Sequence, residues 1–85
     1  MDYDLSVKNK VVGLKQSQKA VTSGMAEAAF VARDAGEHIK GRFKGLCVTH
    51  SVKIIEVESM ALLGEICGIE VNAAVAVLLN RATKD

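Results

Sequence analysis

Few side chains in this 85-residue chain could do chemistry, and most of them lack companions. His38 and His50 have no carboxylate or cysteine spaced to join them as metal ligands, and an exposed position on a helix accounts for each more simply. Cys47 and Cys67 sit among apolar residues rather than in a spaced ligand set, and read as two reduced core thiols. Glu56 and Glu58 fall on one side of a strand and could pair carboxylates for acid–base work. A solvated strand end is the plainer account of them. No glycine loop of the dinucleotide or nucleoside-triphosphate kind is present, since Gly36 and Gly41 flank helical residues without a following lysine–hydroxyl pair. The residues therefore imply no catalytic group, no metal site and no cofactor.

Three features ask instead for a partner. Lys15-Gln16-Ser17-Gln18-Lys19 is polar and basic, and it stands where a strand hands over to a helix. Free N–H groups and a partial positive charge at a helix N-terminus suit phosphates, and Lys15 and Lys19 add charge to them. A solvated helix start remains the alternative. Gly68-Ile69-Glu70-Val71-Asn72-Ala73 puts two aliphatics into a loop behind a helix-capping glycine. Either they plug the core beneath the loop or they meet something apolar, since burying an aliphatic side chain is worth about 1.5–3 kcal/mol. Lys40, Arg42 and Lys44 make the middle helix basic, and a solubilising outer face explains them better than a binding surface does.

These features need elements to hold them. Apolar residues make up 49% of the chain and charged residues 25%, which suits one folded domain over residues 1–85 and excludes disorder. The net charge of +1 favours no class of partner, but its distribution is uneven. Basic residues crowd the first half, while 54–74 carries only Glu56, Glu58, Glu65 and Glu70, so one face can be cationic on a nearly neutral molecule. No apolar run approaches the length of about 18 residues that a membrane span needs. The amino terminus carries Asp2 and Asp4 where a secretory signal carries basic residues, so the expected location is the cytoplasm.

Hydrophobic period and punctuation predict an alternation of helices and strands. A short leading helix is expected around Leu5 to Lys10, then a strand at Val11–Leu14 and a helix from Gln16 to Ser23 closed by Gly24. A strand at Ala28–Ala32 is followed by a turn at Arg33–Gly36 and a helix from about Glu37 to His50 with Ile39, Phe43, Leu46 and Cys47 on one stripe. Val52–Glu58 is the third strand. Ser59 caps a helix ending at Gly68, and Ala73–Leu79 is the last strand. Strands buried on both faces need helices on both sides, so the expected architecture is a three-layer α/β/α sandwich over a four-stranded mixed sheet.

Gly13-Leu14-Lys15-Gln16-Ser17-Gln18-Lys19-Ala20-Val21 followed by Gly24 resembles the first signature of the ribosomal protein L-seven-Ae/L-thirty-e superfamily. Leu63-Gly64-Glu65-Ile66-Cys67-Gly68-Ile69-Glu70-Val71-Asn72-Ala73-Ala74 resembles the second. The resemblance runs from about Val11 to Leu79 and is nearest to the short bacterial members. It implies an L-thirty-e-like fold and a non-enzymatic RNA-binding protein that recognises kink-turns, which are stems bent by a bulge beside tandem sheared G·A pairs. Their setting would be ribosomal RNA or a riboswitch. Gly13, Lys15, Gln16 and Lys19 match the positions that read the sheared pairs, with Gln16 facing base edges and the lysines facing bases or phosphates. Ile69, Glu70, Val71, Asn72 and Ala73 match the apolar loop that covers the bulged nucleotides. Where relatives carry an Asn–Glu pair, this chain has Lys15-Gln16. A monomer is expected, since the chain has few aromatic residues to anchor an interface. A protein-interaction or regulatory module on the same fold is the alternative.

Overall fold

The computed structural model describes residues 9–80, in which seven elements alternate. They are β1 (Lys10–Val12), α1 (Leu14–Thr22), β2 (Ala26–Ala32), α2 (Glu37–Thr49), β3 (Lys53–Val57), α3 (Met60–Cys67) and β4 (Val75–Leu79). The four strands form one mixed sheet in the order β1-β4-β2-β3. β4 runs antiparallel to both of its neighbours, while β2 and β3 are parallel. The register sets Val12 opposite Ala76, and Val31 opposite both Val75 and Glu56.

Strand periodicity explains the two cores. Along β2, Ala28, Phe30 and Ala32 point to one side with Val57 and Ala76, where Leu63 and Cys67 of α3 cover them. Ala29 and Val31 point to the other side with Val75 and Val77, under Ala20 and Val21 of α1 and Phe43 and Cys47 of α2. Burial on both faces is why β2 and β4 read as continuous apolar runs rather than alternating ones. The result is the three-layer α/β/α sandwich expected from the sequence, with two helices on one face and α3 on the other. Each cysteine is buried in a different core, and both are free thiols. Burial pushes both thiols above their ordinary pKa, which keeps them protonated and unreactive.

Several element boundaries differ from those expected. The helix expected from Gln16 starts at Leu14, so Lys15 lies in its first turn rather than just outside it. The last strand begins at Val75 rather than Ala73, since Ala73 and Ala74 still belong to the loop. Lys10, expected to close a leading helix, is the first residue of β1, and the rest of that helix lies outside the described residues. The start of α3 agrees with its predicted cap. Ser59 Oγ accepts from Leu62 N at 3.0 Å, and Asp34 Oδ1 accepts from Met60 N at 2.8 Å.

Candidate functional site

The N-terminus of α1 is the least neutralised helix end among the described residues. Gly13 occupies its N-cap at φ 102° and ψ 156°, a conformation essentially reserved for glycine, so no side chain is there to cap the first N–H groups. No acidic residue follows in the first turn. The other two helices differ: α2 carries Glu37 in its first turn, and α3 is capped by Ser59 and Asp34. At α1 the positive end of the helix therefore faces outward uncompensated, with exposed Lys15 in its first turn and exposed Lys19 one turn farther on, in the helix's last turn. Gln16 is exposed too, whereas Ser17 turns inward and is fully buried. Neither lysine forms an ion pair among the described residues.

The loop from Gly68 to Ala74 arrives at the same rim. Gly68 closes α3 in the left-handed conformation, and Ile69 N donates to Gly64 O at 3.1 Å. Ala73 N donates to Met60 O at 3.1 Å, which carries the loop back along α3 toward that helix's start. Ala74 O then accepts from Ala32 N at 2.9 Å, and Val75 O accepts from Gly13 N at 3.0 Å. That last bond joins the α1 cap directly to the end of the loop. The structure thus brings the two sequence-predicted segments to one edge, through the junction of β1 and β4.

Within the loop, both readings of the aliphatics apply, each to one residue. Ile69 is half-buried against the α3-side core, while Val71 is 69% exposed. Glu70 and Asn72 flank Val71 and are exposed, and Ala73 is buried. The rim therefore offers an apolar crest at Val71, polar groups on either side of it, and an amide and two ammonium groups on α1. Such a surface can take a ligand that combines phosphate with flat apolar faces.

A second group of charged residues is engaged elsewhere. Lys44 Nζ meets Glu56 Oε2 at 2.5 Å, and Arg33 Nε lies 3.4 Å from Glu56 Oε1. Lys40 Nζ donates to Arg33 O at 2.7 Å and pairs with Glu37 at 3.2 Å. The hydrogen bond and charge of Lys44, with smaller help from Arg33 and Lys40, hold the Glu56 carboxyl below its ordinary pKa. A carboxylate so held is a poor proton donor, which counts against an acid role for Glu56. An open cleft of about 310 Å³ lies at this β3 edge, lined by Arg33, Glu56, Glu58 and Leu62. β2 separates that edge from β4 and the rim. Sequence reasoning gave Lys40 and Lys44 to the solvent, and its residue types could not show that they reach across to a strand end. His38 and His50 are exposed, and no group of three or more metal-ligating side chains forms among the described residues. No described helix is long and apolar enough to cross a membrane.

A mixed sheet with β4 placed between β1 and β2, and a glycine-capped helix beside a strapped loop, define a class that comparison identifies. Residues 4–85 match the model of the Ribosomal protein L7Ae/L30e/S12e/Gadd45 family, and the chain belongs to that family. Among its relatives, the RNA-binding protein TTE2299 of Caldanaerobacter subterraneus subsp. tengcongensis is 40% identical over 67 residues, covering 79% of this chain and 82% of the relative. An RNA-binding protein of Bacillus pumilus is 37% identical over 82 residues, covering 93% of this chain and all of the relative (100%). Both are short bacterial proteins of this type, and neither name is that of an enzyme. Among solved structures, the Giardia lamblia 15.5kD RNA binding protein superposes with a TM-score of 0.76 at 25% identity, covering 87% of this chain and 62% of that one. A Bacillus halodurans protein of unknown function superposes with a TM-score of 0.77 at 23% identity, covering 86% and 73%, and shares the fold.

Proposed function

We propose that this chain is a non-enzymatic RNA-binding protein whose target is a kink-turn, and that the rim formed by α1 and the Gly68–Ala74 loop is its RNA surface. The observation that carries this reading is the bond from Gly13 N to Val75 O, which sets an uncapped, lysine-flanked helix start beside an exposed apolar loop. A kinked stem presents both complementary parts at once: backbone phosphates and base edges in an opened groove, and unstacked bulge nucleotides with bare faces. Lys15 and Lys19 meet phosphates or base acceptors, the Gln16 amide meets base edges, and the loop of Ile69, Glu70, Val71, Asn72 and Ala73 forms the cover for the bulge, with Glu70, Val71 and Asn72 as its outer face and Ile69 and Ala73 as its footing in the core. The names of the relatives support RNA as the partner class. We place the protein in the cytoplasm as a monomer, working on ribosomal RNA or on a regulatory RNA.

A gel-shift titration tests this reading. A stem with a three-nucleotide bulge and tandem G·A pairs is compared with its fully paired control at fixed salt. Preferential binding of the bulged stem is expected, and equal binding of the two RNAs overturns the kink-turn assignment.

A further inference from the structure

We infer that Gly64, in the middle of α3, is a positioning residue for RNA binding: its missing side chain is the space in which the Val71–Asn72 peptide rests, and this fixes the height of the Val71 crest at the rim. The inference rests on the RNA reading of that rim and extends it to a residue that is itself buried beneath the loop.

A helix-interior glycine costs about 1 kcal/mol relative to alanine, so its presence calls for a local reason. Gly41 and Gly45 in α2 have open space where a Cβ would go. Gly64 does not. A Cβ there would collide with the Val71 carbonyl oxygen, and it would lie 3.2 Å from the Val71 carbonyl carbon and 3.3 Å from Asn72 Cα. All three are backbone atoms, so no side-chain rotation relieves the clash. The loop is also held on both sides of this contact. Ile69 N is bonded to the carbonyl of Gly64 itself, and Ala73 N is bonded to Met60 O. Farther on, Ala74 O and Val75 O are fixed to β2 and to the α1 cap through Ala32 N and Gly13 N. With both feet tied, a side chain at 64 can only lift the segment between them, which is the segment carrying Val71. The crest is thus set before RNA arrives, so RNA binding does not have to order it.

The test compares the wild type, Gly64→Ala, Val71→Ala and the double variant, using the bulged tandem-G·A stem and its paired control. Backbone amide spectra of Lys15–Lys19 report whether α1 stays in place. Gly64→Ala is expected to keep those α1 resonances and to lose about tenfold or more in affinity for the bulged stem, the scale of one lost apolar contact. Binding of the paired control should change little. Val71→Ala should lose a similar amount, and the double variant should lose no more than the larger single loss, because both remove one contact. A folded Gly64→Ala protein that binds the bulged stem as the wild type does overturns the inference and leaves the RNA reading standing. A wild type that treats the two RNAs alike overturns both. Relaxation of the RNA-free wild type decides the matter without any variant. Val71 and Asn72 amides as rigid as the core are expected, and order parameters below about 0.6 overturn the inference.

Discussion

Lys19 and Lys44 are both lysines on the α1/α2 face of the sheet, and the structure gives them opposite surroundings. Lys19 is exposed, unpaired among the described residues, and one turn beyond Lys15 on α1, in that helix's last turn. Lys44 is bound to Glu56 at 2.5 Å. On the proposed RNA reading, truncating Lys19 to alanine removes one phosphate partner and nothing internal. The loss of a charge-assisted contact predicts roughly a tenfold weaker Kd at low salt. It also lowers the slope of log K against log salt by about 0.7–0.9. Between 50 and 200 mM salt, the variant should therefore lose about threefold less affinity than the wild type loses. Stability should stay within about 0.5 kcal/mol of the wild type, since no packing is disturbed. Lys44→Ala should do the reverse, leaving Kd and slope unchanged while slightly lowering the melting temperature through loss of a partly exposed ion pair. Fluorescence anisotropy with a labelled bulged stem across a salt series gives both quantities, and thermal melting gives the stability. An unchanged slope for Lys19→Ala, or an equal drop for Lys44→Ala, refutes the assignment of phosphate contact to the start of α1.

Gly13→Ala places a Cβ in open space but in a backbone region that L-residues avoid, so its cost is conformational. A loss of about 1–3 kcal/mol, or roughly 5–20 °C in Tm, is expected by calorimetry, and an unchanged Tm would show that the cap relaxes freely. Glu56 is held below its ordinary pKa of 4.5 in the fold, so the unfolded chain binds its proton first as pH falls. The stabilisation is present above pH 4.5 and is lost as pH drops through the lower folded value. Urea midpoints measured between about pH 3 and 6 should fall more steeply for the wild type than for Glu56→Gln, and parallel curves would remove the ion pair from the account. Cys47 and Cys67 should react with a thiol reagent near neutral pH only on unfolding, and rapid labelling of the native protein would contradict their burial.

The sequence made some of this legible because the signals were local. Ser59 before an apolar run and Gly68 after it bracket α3 with a cap and a stop that need no tertiary information. The doubly buried character of β2 showed as an unbroken apolar run, from which the layers on both faces follow. What escaped depended on chain segments far apart. Ile69 and Val71 look equivalent in a loop two residues apart, and only the strap to Gly64 and Met60 sends one inward and leaves the other out. The reach of Lys44 to Glu56 and of Lys40 to the Arg33 carbonyl is likewise invisible to a helical wheel, which could only assign those charges to solvent. Leu14 reads with the strand because it continues an apolar run, yet the backbone turns at Gly13, one residue earlier.

The position of the candidate site follows from the place of β4 in the sheet. β4 is bonded on both sides, to β1 and to β2, so its first residues are the most constrained point on the rim. Its two neighbours each send a backbone N–H to the loop end: Gly13, just past β1, reaches Val75, and Ala32, at the end of β2, reaches Ala74. A one-residue slip of β4 would exchange Val75 and Val77 with Ala76 between the two cores, so packing on both faces holds the register and, with it, the distance between α1 and the loop. The proposed match to a bent RNA at two points would gain from such a mount, because neither point can drift without unpacking the sheet. The β3 edge, separated from β4 by β2, carries instead the ion-paired cluster of Arg33, Lys44 and Glu56.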